Sequence, residues 1–355
     1  MPATILLPAA TSLLALVFAL ALLDQWLERR GPFQLAWAIG MTGYGIAAGA
    51  EAIAGLAGWN ELLYKAWYAV GIATPAWLGL GTALLLARTR FGYTFAGTIL
   101  LGALVMFALR ASPRYAEAGP APVLYAILAL VVAIAVAVET YFQNERWPWI
   151  AAGAIAVASL AGLVGTALAT VPPPGYALDP RTGVPTGELI PDHIRLLAPF
   201  LNVTGALTLV LGALFSTYVF MPKRRVLGYS LDPSQPGDVF LFNLAIAPVA
   251  LAVNFAASLP GAIRALAAGR IHSRVPATIL IAIGAFVPSV TDTLNRFGST
   301  ELFQLGKFLG VVFLFLGFLV SVEAFREIRV PFTRIRLGGV RAERVAPAGR
   351  PTERA

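Results

Sequence analysis

Apolar runs of about bilayer length, with few or no charged residues, recur along this chain, and they constrain its fold more than any other feature. One of them, PVLYAILALVVAIAVAV at 122–138, carries no ionisable group except a tyrosine. A helix of about 20 such residues covers the roughly 30 Å hydrocarbon core of a bilayer and satisfies its own backbone where water is absent. Windows of this kind fall at 3–23, 34–58, 62–87, 93–110, 122–142, 149–171, 196–221, 275–295 and 301–323. Only 12% of the 355 residues are charged, about half the usual share of a soluble domain, so a soluble fold is excluded. The expected fold is all-α, a polytopic transmembrane helix bundle of about nine spans.

The joins between spans carry the orientation. LERRG, RTRFG, QNERW and MPKRR follow the first, third, fifth and seventh spans. Basic loops stay on the cytoplasmic side, so the N-terminus is expected outside and the C-terminus inside. The first span continues apolar without a basic leader, which reads as a retained helix rather than a cleaved signal. Residues 238–274 are apolar enough to enter the bilayer, but a crossing there would send the Arg-rich tail outside. A re-entrant or interface-lying segment broken at Pro248 and Pro260 is the expected solution. The organisation is then a seven-span bundle over 1–225, a cytoplasmic-side segment over 226–274, a transmembrane hairpin over 275–325 and a basic tail over 326–355. The tail, Pro- and Arg-rich from about 338, has little to bury and is expected to be disordered, attracted to anionic headgroups.

Against this sparse background, two hairpins each place an acid and a lysine at one depth. In SVTDTLNRFGSTELFQLGKFLG, Asp292 and Lys307 flank the Gly298-Ser299 turn, each roughly 10 to 12 Å below it at about 1.5 Å per residue. In GAEAIAGLAGWNELLYKAWY, Glu51 and Lys65 lie seven residues either side of Gly58. An unpaired charge there costs about 2.5 to 3.5 kcal/mol on insertion scales, so pairing is expected: Glu51 with Lys65, and Asp292 and Lys307 with each other or with Glu51 and Lys65. Three readings follow: structural pins between helices, a polar cavity for an ion or headgroup, or a Schiff base on Lys307 with Asp292 or Glu51 as counter-ion. Tyr68 joins the candidates because it shares the Lys65 helix with Trp67 and with Pro75, which would interrupt that helix. The candidate ligand or ion residues are therefore Glu51, Lys65, Tyr68, Asp292 and Lys307.

Other chemistry thins quickly. No cysteine is present, which removes thiol catalysis, thiolate ligation and disulfides. His193 and His272 are the only histidines and fall on opposite sides of the expected membrane, so no metal site and no cofactor is expected. Closely spaced glycines in GMTGYGIAAGAEAIAG read as a helix-packing face, and AGAIAVASLAGLVGTALAT at 152–170 reads as a span placed centrally in the bundle. Trp59, Tyr64, Trp67 and Tyr68 outside, with Trp26, Trp147 and Trp149 inside, fit interfacial belts. The proline-rich outer segment 171–194 is either a lid or an exposed linker.

The stretch RGPFQLAWAIGMTGYGIAAGAEAIAGLAGWNELLYKAWYAVGIATPAWLGLGTALLLAR at 30–88 has a basic first exit, a Trp-containing second span and a YKAWYAVG…P third span. In these features residues 1–225 resemble the seven-transmembrane N-terminal sensory region of bacterial histidine kinases. The seventh span leads to further membrane segments and not to a kinase domain, so the resemblance implies a sensory or lipophilic-ligand-binding role without kinase output. The expected function is a non-enzymatic multi-pass protein of the cytoplasmic (inner) membrane. Its expected partners are the lipid bilayer and either a lipophilic ligand or a partner membrane protein, with no nucleic acid. The alternative is an ion-coupled transporter using the acid–lysine pairs.

Overall fold

The computed structural model describes residues 3–272, 274–295, 300–320 and two short strands; among these, the side chains of 289, of 291–300 and of the strands lie outside the description. Its helices are α1 (Ala3–Arg29), α2 (Pro32–Ala57), α3 (Glu61–Gly71), α4 (Thr74–Leu85), α5 (Phe91–Leu109), α6 (Ala121–Tyr141), α7 (Trp147–Leu168), α8 (Asp192–Arg195), α9 (Leu197–Phe220), α10 (Gly237–Ala267), α11 (Arg274–Asn295) and α12 (Thr300–Val320). β1 (Ile328–Arg329) pairs antiparallel with β2 (Arg336–Leu337). The protein is a helical membrane bundle. Among the described residues, eight helical segments are long and apolar enough to cross a bilayer, including Glu61–Leu85, Gly237–Ala267 and Glu301–Val320. The expected segments 34–58 and 275–295 form α2 and α11, helices of 26 and 22 residues. Glycines, Tyr44, Thr42 and Glu51 dilute the hydropathy of α2, and neighbouring helices cover much of it.

Two apolar cores share α4 and α9. One gathers Phe18, Trp37, Leu78, Leu209, Ile281, Val311 and Phe318 from α1, α2, α4, α9, α11 and α12. The other gathers Leu80, Phe95, Val136, Trp147 and Leu201 from α4, α5, α6, α7 and α9. In a bilayer, lipid tails are as apolar as leucine, so close backbone approach has to supply much of the helix association. Small residues permit it. A Cβ on Gly79 would stand 2.6 Å from the Gly205 carbonyl oxygen, and one on Gly205 would collide with the Pro75 backbone, so α4 and α9 cross with no room for a side chain. The α2 glycines behave as expected: Gly40 and Gly43 meet Leu78 and Thr74 of α4, while Gly45, Gly49 and Gly55 meet Leu16, Ser12 and Ile5 of α1. The 152–170 stretch does not. Its helix α7 sits on the periphery, with Val157, Leu160 and Leu168 exposed.

Pro75 interrupts the third apolar segment as expected. Lacking an N–H, it cannot bond the Gly71 carbonyl, and the chain turns at Ile72 and Ala73 between α3 and α4. Pro248 and Pro260 do not act this way, because α10 is one continuous helix of 31 residues through both. Both prolines lie on its exposed side, where the helix can bend without losing its packed face.

The course of α10 is set by its contacts. Phe240 meets the rings of Tyr93 and Tyr141 at centroid distances of 6.1 and 5.2 Å, at the start of α5 and the end of α6. Ala262, about 33 Å further along the helix axis, packs with Tyr218, Met221 and Val275 at the end of α9 and the start of α11. These helix ends share one end of the bundle: Gly92 abuts Thr140, Phe91 meets Phe215, and Thr217 shares a hydroxyl hydrogen bond of 2.8 Å with Thr278. Both extremities of α10 therefore meet one end of the bundle, so the helix runs crosswise to its neighbours there.

Candidate functional site

Two helical repeats build a polar, buried position between α2 and α12. Tyr44 and Glu51 are seven residues apart on α2 and so share the face turned to α12. Gln304 and Lys307 are three apart on α12 and answer them. The Lys307 ammonium donates to both carboxylate oxygens of Glu51, at 2.7 Å to Oε1 and 2.6 Å to Oε2. Trp67 Nε1 of α3 donates to Glu51 Oε1 at 3.0 Å, and Gln304 Nε2 donates to Oε2 at 2.9 Å. Tyr44 donates to the Lys307 backbone carbonyl at 3.2 Å. The ammonium also lies 4.9 Å from the centroid of the Phe303 ring, which adds a cation–π contact. The Glu51 and Lys307 side chains are only 7% and 13% exposed, so solvent screens their attraction weakly. Among the described residues Gln304 Oε1 is buried without a hydrogen-bond partner.

The expected Glu51–Lys65 pair does not form, whereas the alternative of a pair across the two hairpins does. Glu51 pairs with Lys307 of the last hairpin and not with Lys65. Positions 65 and 67 of one helix point about 200° apart, so once Trp67 faces Glu51, Lys65 faces elsewhere. Its ammonium meets Glu61 at 2.7 Å and donates to the Ala167 carbonyl at 3.3 Å, where a cation favours the C-terminal end of α7. Asp292 lies outside the described side chains. Trp67, Gln304 and Tyr44 were not singled out for this site by sequence, although the i, i+7 and i, i+3 spacings to Glu51 and Lys307 were there to be read.

Tyr68 belongs to a neighbouring structure. With Tyr64, Ile72, Val171, Ile190 and Ile194 it forms an aromatic and aliphatic cluster beneath the proline-rich segment 171–194. Tyr64 donates to the Thr186 carbonyl at 2.5 Å and accepts from Leu189 N–H at 3.4 Å, and Gly187 lies against the Tyr68 ring. The segment is therefore a packed cap on α3 rather than a free linker, and aromatic rings fill the space below it. Its tip is organised by Asp179, whose Oδ1 accepts from the backbone N–H groups of Arg181 and Thr182 at 2.8 and 3.2 Å. Those bonds, that from Arg181 foremost, hold the Asp179 carboxyl below the usual carboxylate range.

Below Trp67, the interrupted helix forms the wall of a groove. Its volume is about 620 Å³, and it runs between α1, α2, the α3–α4 break and α7. Val70, Ala73 and Thr74 line it at the break, with Ile46, Trp77 and Ser159 around them. The polar atoms in its wall are already engaged: Thr42 and Thr74 donate to the Ala38 and Val70 carbonyls at 2.8 and 3.0 Å, and Trp77 Nε1 donates to Ser159 Oγ at 3.1 Å. What the wall offers a guest is apolar surface. A second apolar groove of about 450 Å³ opens between α5, α6, α7 and α9, where Tyr125 and Thr204 are its main polar members. The first groove adjoins the ion pair through two helices, since Trp67 is about one turn from Val70 on α3 and Ile46 is about 1.4 turns from Glu51 on α2. No family model, curated protein or solved structure matches this chain.

Proposed function

We propose that this protein is a multi-pass protein of the cytoplasmic membrane that holds a lipophilic ligand in the groove between α1, α2, α4 and α7, with the Glu51–Lys307 pair pinning α2, one wall of that groove, to α12. The groove carries this reading. Its volume falls within the roughly 300 to 1,000 Å³ of small-molecule sites. Its internally satisfied polar groups suit a hydrocarbon chain better than a hydrated ion, which would need free ligands. The sensory role implied by residues 1–225 is compatible with a ligand taken laterally from the bilayer. The topology we adopt is nine crossings, N-terminus out, with α10 in the plane of the inner leaflet.

A diazirine-bearing palmitic acid tests the reading in purified protein. Adducts should concentrate on recessed groove residues such as Val70, Thr74 and Trp77. Filling the groove with Ser159→Trp should reduce them several-fold while the fold survives. Labelling spread over exposed crowns such as Val157 and Leu168, and insensitive to that substitution, would refute it. The second reading, an ion-coupled transporter, is favoured by the break at Ile72 and Ala73 beside an intramembrane ion pair, since discontinuous helices and buried charges recur at transport sites. Solute or charge movement in proteoliposomes, abolished by Glu51→Gln, would select it over the first.

A further inference from the structure

The α10 region carries two properties that no part of the ligand reading uses. Its packed stripe is narrow, with Phe240, Ala247, Ala250, Asn254, Ser258 and Ala262 turned to the protein. The opposite side exposes Leu241, Phe242, Val249, Leu259 and Ile263, and no charged residue interrupts it from 239 to 263. Positive charge gathers at its far end. Asp238 stands in its first turn, whereas Arg264, Arg270 and Arg274 close its far end, with no acid from 239 to 274.

The linker before α10 adds to the same corner. Asn254 clamps it, accepting from Val226 and Leu227 N–H at 2.7 and 2.9 Å and donating to the Leu227 carbonyl at 2.8 Å. Ser258 Oγ accepts from Arg224 N–H at 2.8 Å. These bonds strap Lys223, Arg224 and Arg225, all exposed, against the C-terminal half of α10. The Arg274 guanidinium lies 4.4 Å from the centroid of the Phe220 ring, on which His272 also stacks at 4.8 Å. A helix running crosswise at the bundle end, apolar on the face the protein leaves free and cationic at one corner, matches a leaflet of acyl chains below anionic headgroups.

We propose that α10 and this corner form a docking surface for anionic phospholipid. The free apolar face enters the acyl boundary, and Lys223, Arg224, Arg225, Arg264 and Arg270 hold headgroup phosphates. The inference rests on the membrane character of the chain and not on the groove.

Because the chain has no cysteine, single cysteines carrying nitroxides can be placed at Leu241, Val249 and Ile263 without a background. In vesicles containing dioleoylphosphatidylglycerol the three labels should report one depth within a few ångström. A spread approaching the roughly 33 Å that separates 241 from 263 along a helix would overturn the in-plane placement. The lipid arm uses native mass spectrometry of protein carrying phosphatidylglycerol or phosphatidylcholine. Arg264→Gln with Arg270→Gln should weaken phosphatidylglycerol retention about five-fold per charge removed and leave phosphatidylcholine unchanged. Arg110→Gln, at the other end of the bundle, should leave both unchanged. Equal retention in the double variant, or inorganic phosphate stabilising the wild type as well as phosphatidylglycerol does, would overturn the lipid assignment.

Discussion

Replacing Glu51 by Gln removes the counter-charge of a lysine that the bundle holds 13% exposed. Among the described residues its remaining contacts do not compensate: the ammonium would keep an amide oxygen and the face of Phe303. Removing one partner of a buried pair costs about 3 to 5 kcal/mol, so Glu51→Gln should lose close to that amount. Lys307→Met should lose less, about 2 to 3 kcal/mol, because the carboxylate keeps its bonds from Trp67 and Gln304. With both changes the orphaned charge disappears, and the loss should be smaller than that of Glu51→Gln alone. The cycle then gives a coupling of about 2 kcal/mol or more between the two positions. Unfolding in mixed micelles with rising denaturing detergent, followed by tryptophan fluorescence, measures it. Lys65→Met is the internal control and should cost less than about 1 kcal/mol, since its pair with Glu61 is a partly exposed i, i+4 contact. Additive losses at Glu51 and Lys307, or a larger loss for Lys65→Met, would refute the assignment of the pair.

Other expectations concern packing and the cap over α3. Gly205→Leu should abolish assembly or cost more than about 3 kcal/mol, because the side chain would enter the Pro75 backbone, whereas Gly153→Leu, in open space, should be close to neutral by the same unfolding assay. Tyr64→Phe removes the bond to the Thr186 carbonyl and should loosen the cap by about 1 kcal/mol, read as faster limited proteolysis within 177–186. The depressed Asp179 carboxyl gives that cleavage a pH dependence. Its contribution is present above the ordinary carboxylate range and is lost as pH falls through its lowered value, so cleavage should accelerate in acid and Asp179→Asn should flatten the profile.

Much of the bundle was legible in the chain because a bilayer imposes length and apolarity on every crossing helix. The break at Pro75 was legible for the same kind of local reason, a missing N–H. What was not legible depended on rotation and neighbourhood. The depth of Glu51 and Lys307 follows from counting residues back from two turns, but their union requires α12 to lie beside α2, and the core around Phe18, Trp37 and Phe318 decides that. The Trp67 indole looked like an interfacial anchor and is instead a donor to Glu51. The small residues of α2 and α7 look alike in sequence, yet one helix is wedged between α1 and α4 and the other faces outward. Lipid and helix are equally apolar neighbours, so composition alone does not choose between them. For α10, the prolines suggested a break, while their place on the unpacked side leaves the helix whole.

The most direct test of a lipophilic ligand is a cryo-electron microscopy structure of the protein extracted gently from its own membrane. The expected result is elongated density in the groove, along Val70, Ala73 and Thr74 of the α3–α4 break and up to Ile46. A groove holding only water, in protein that also moves a solute across proteoliposomes, would contradict it.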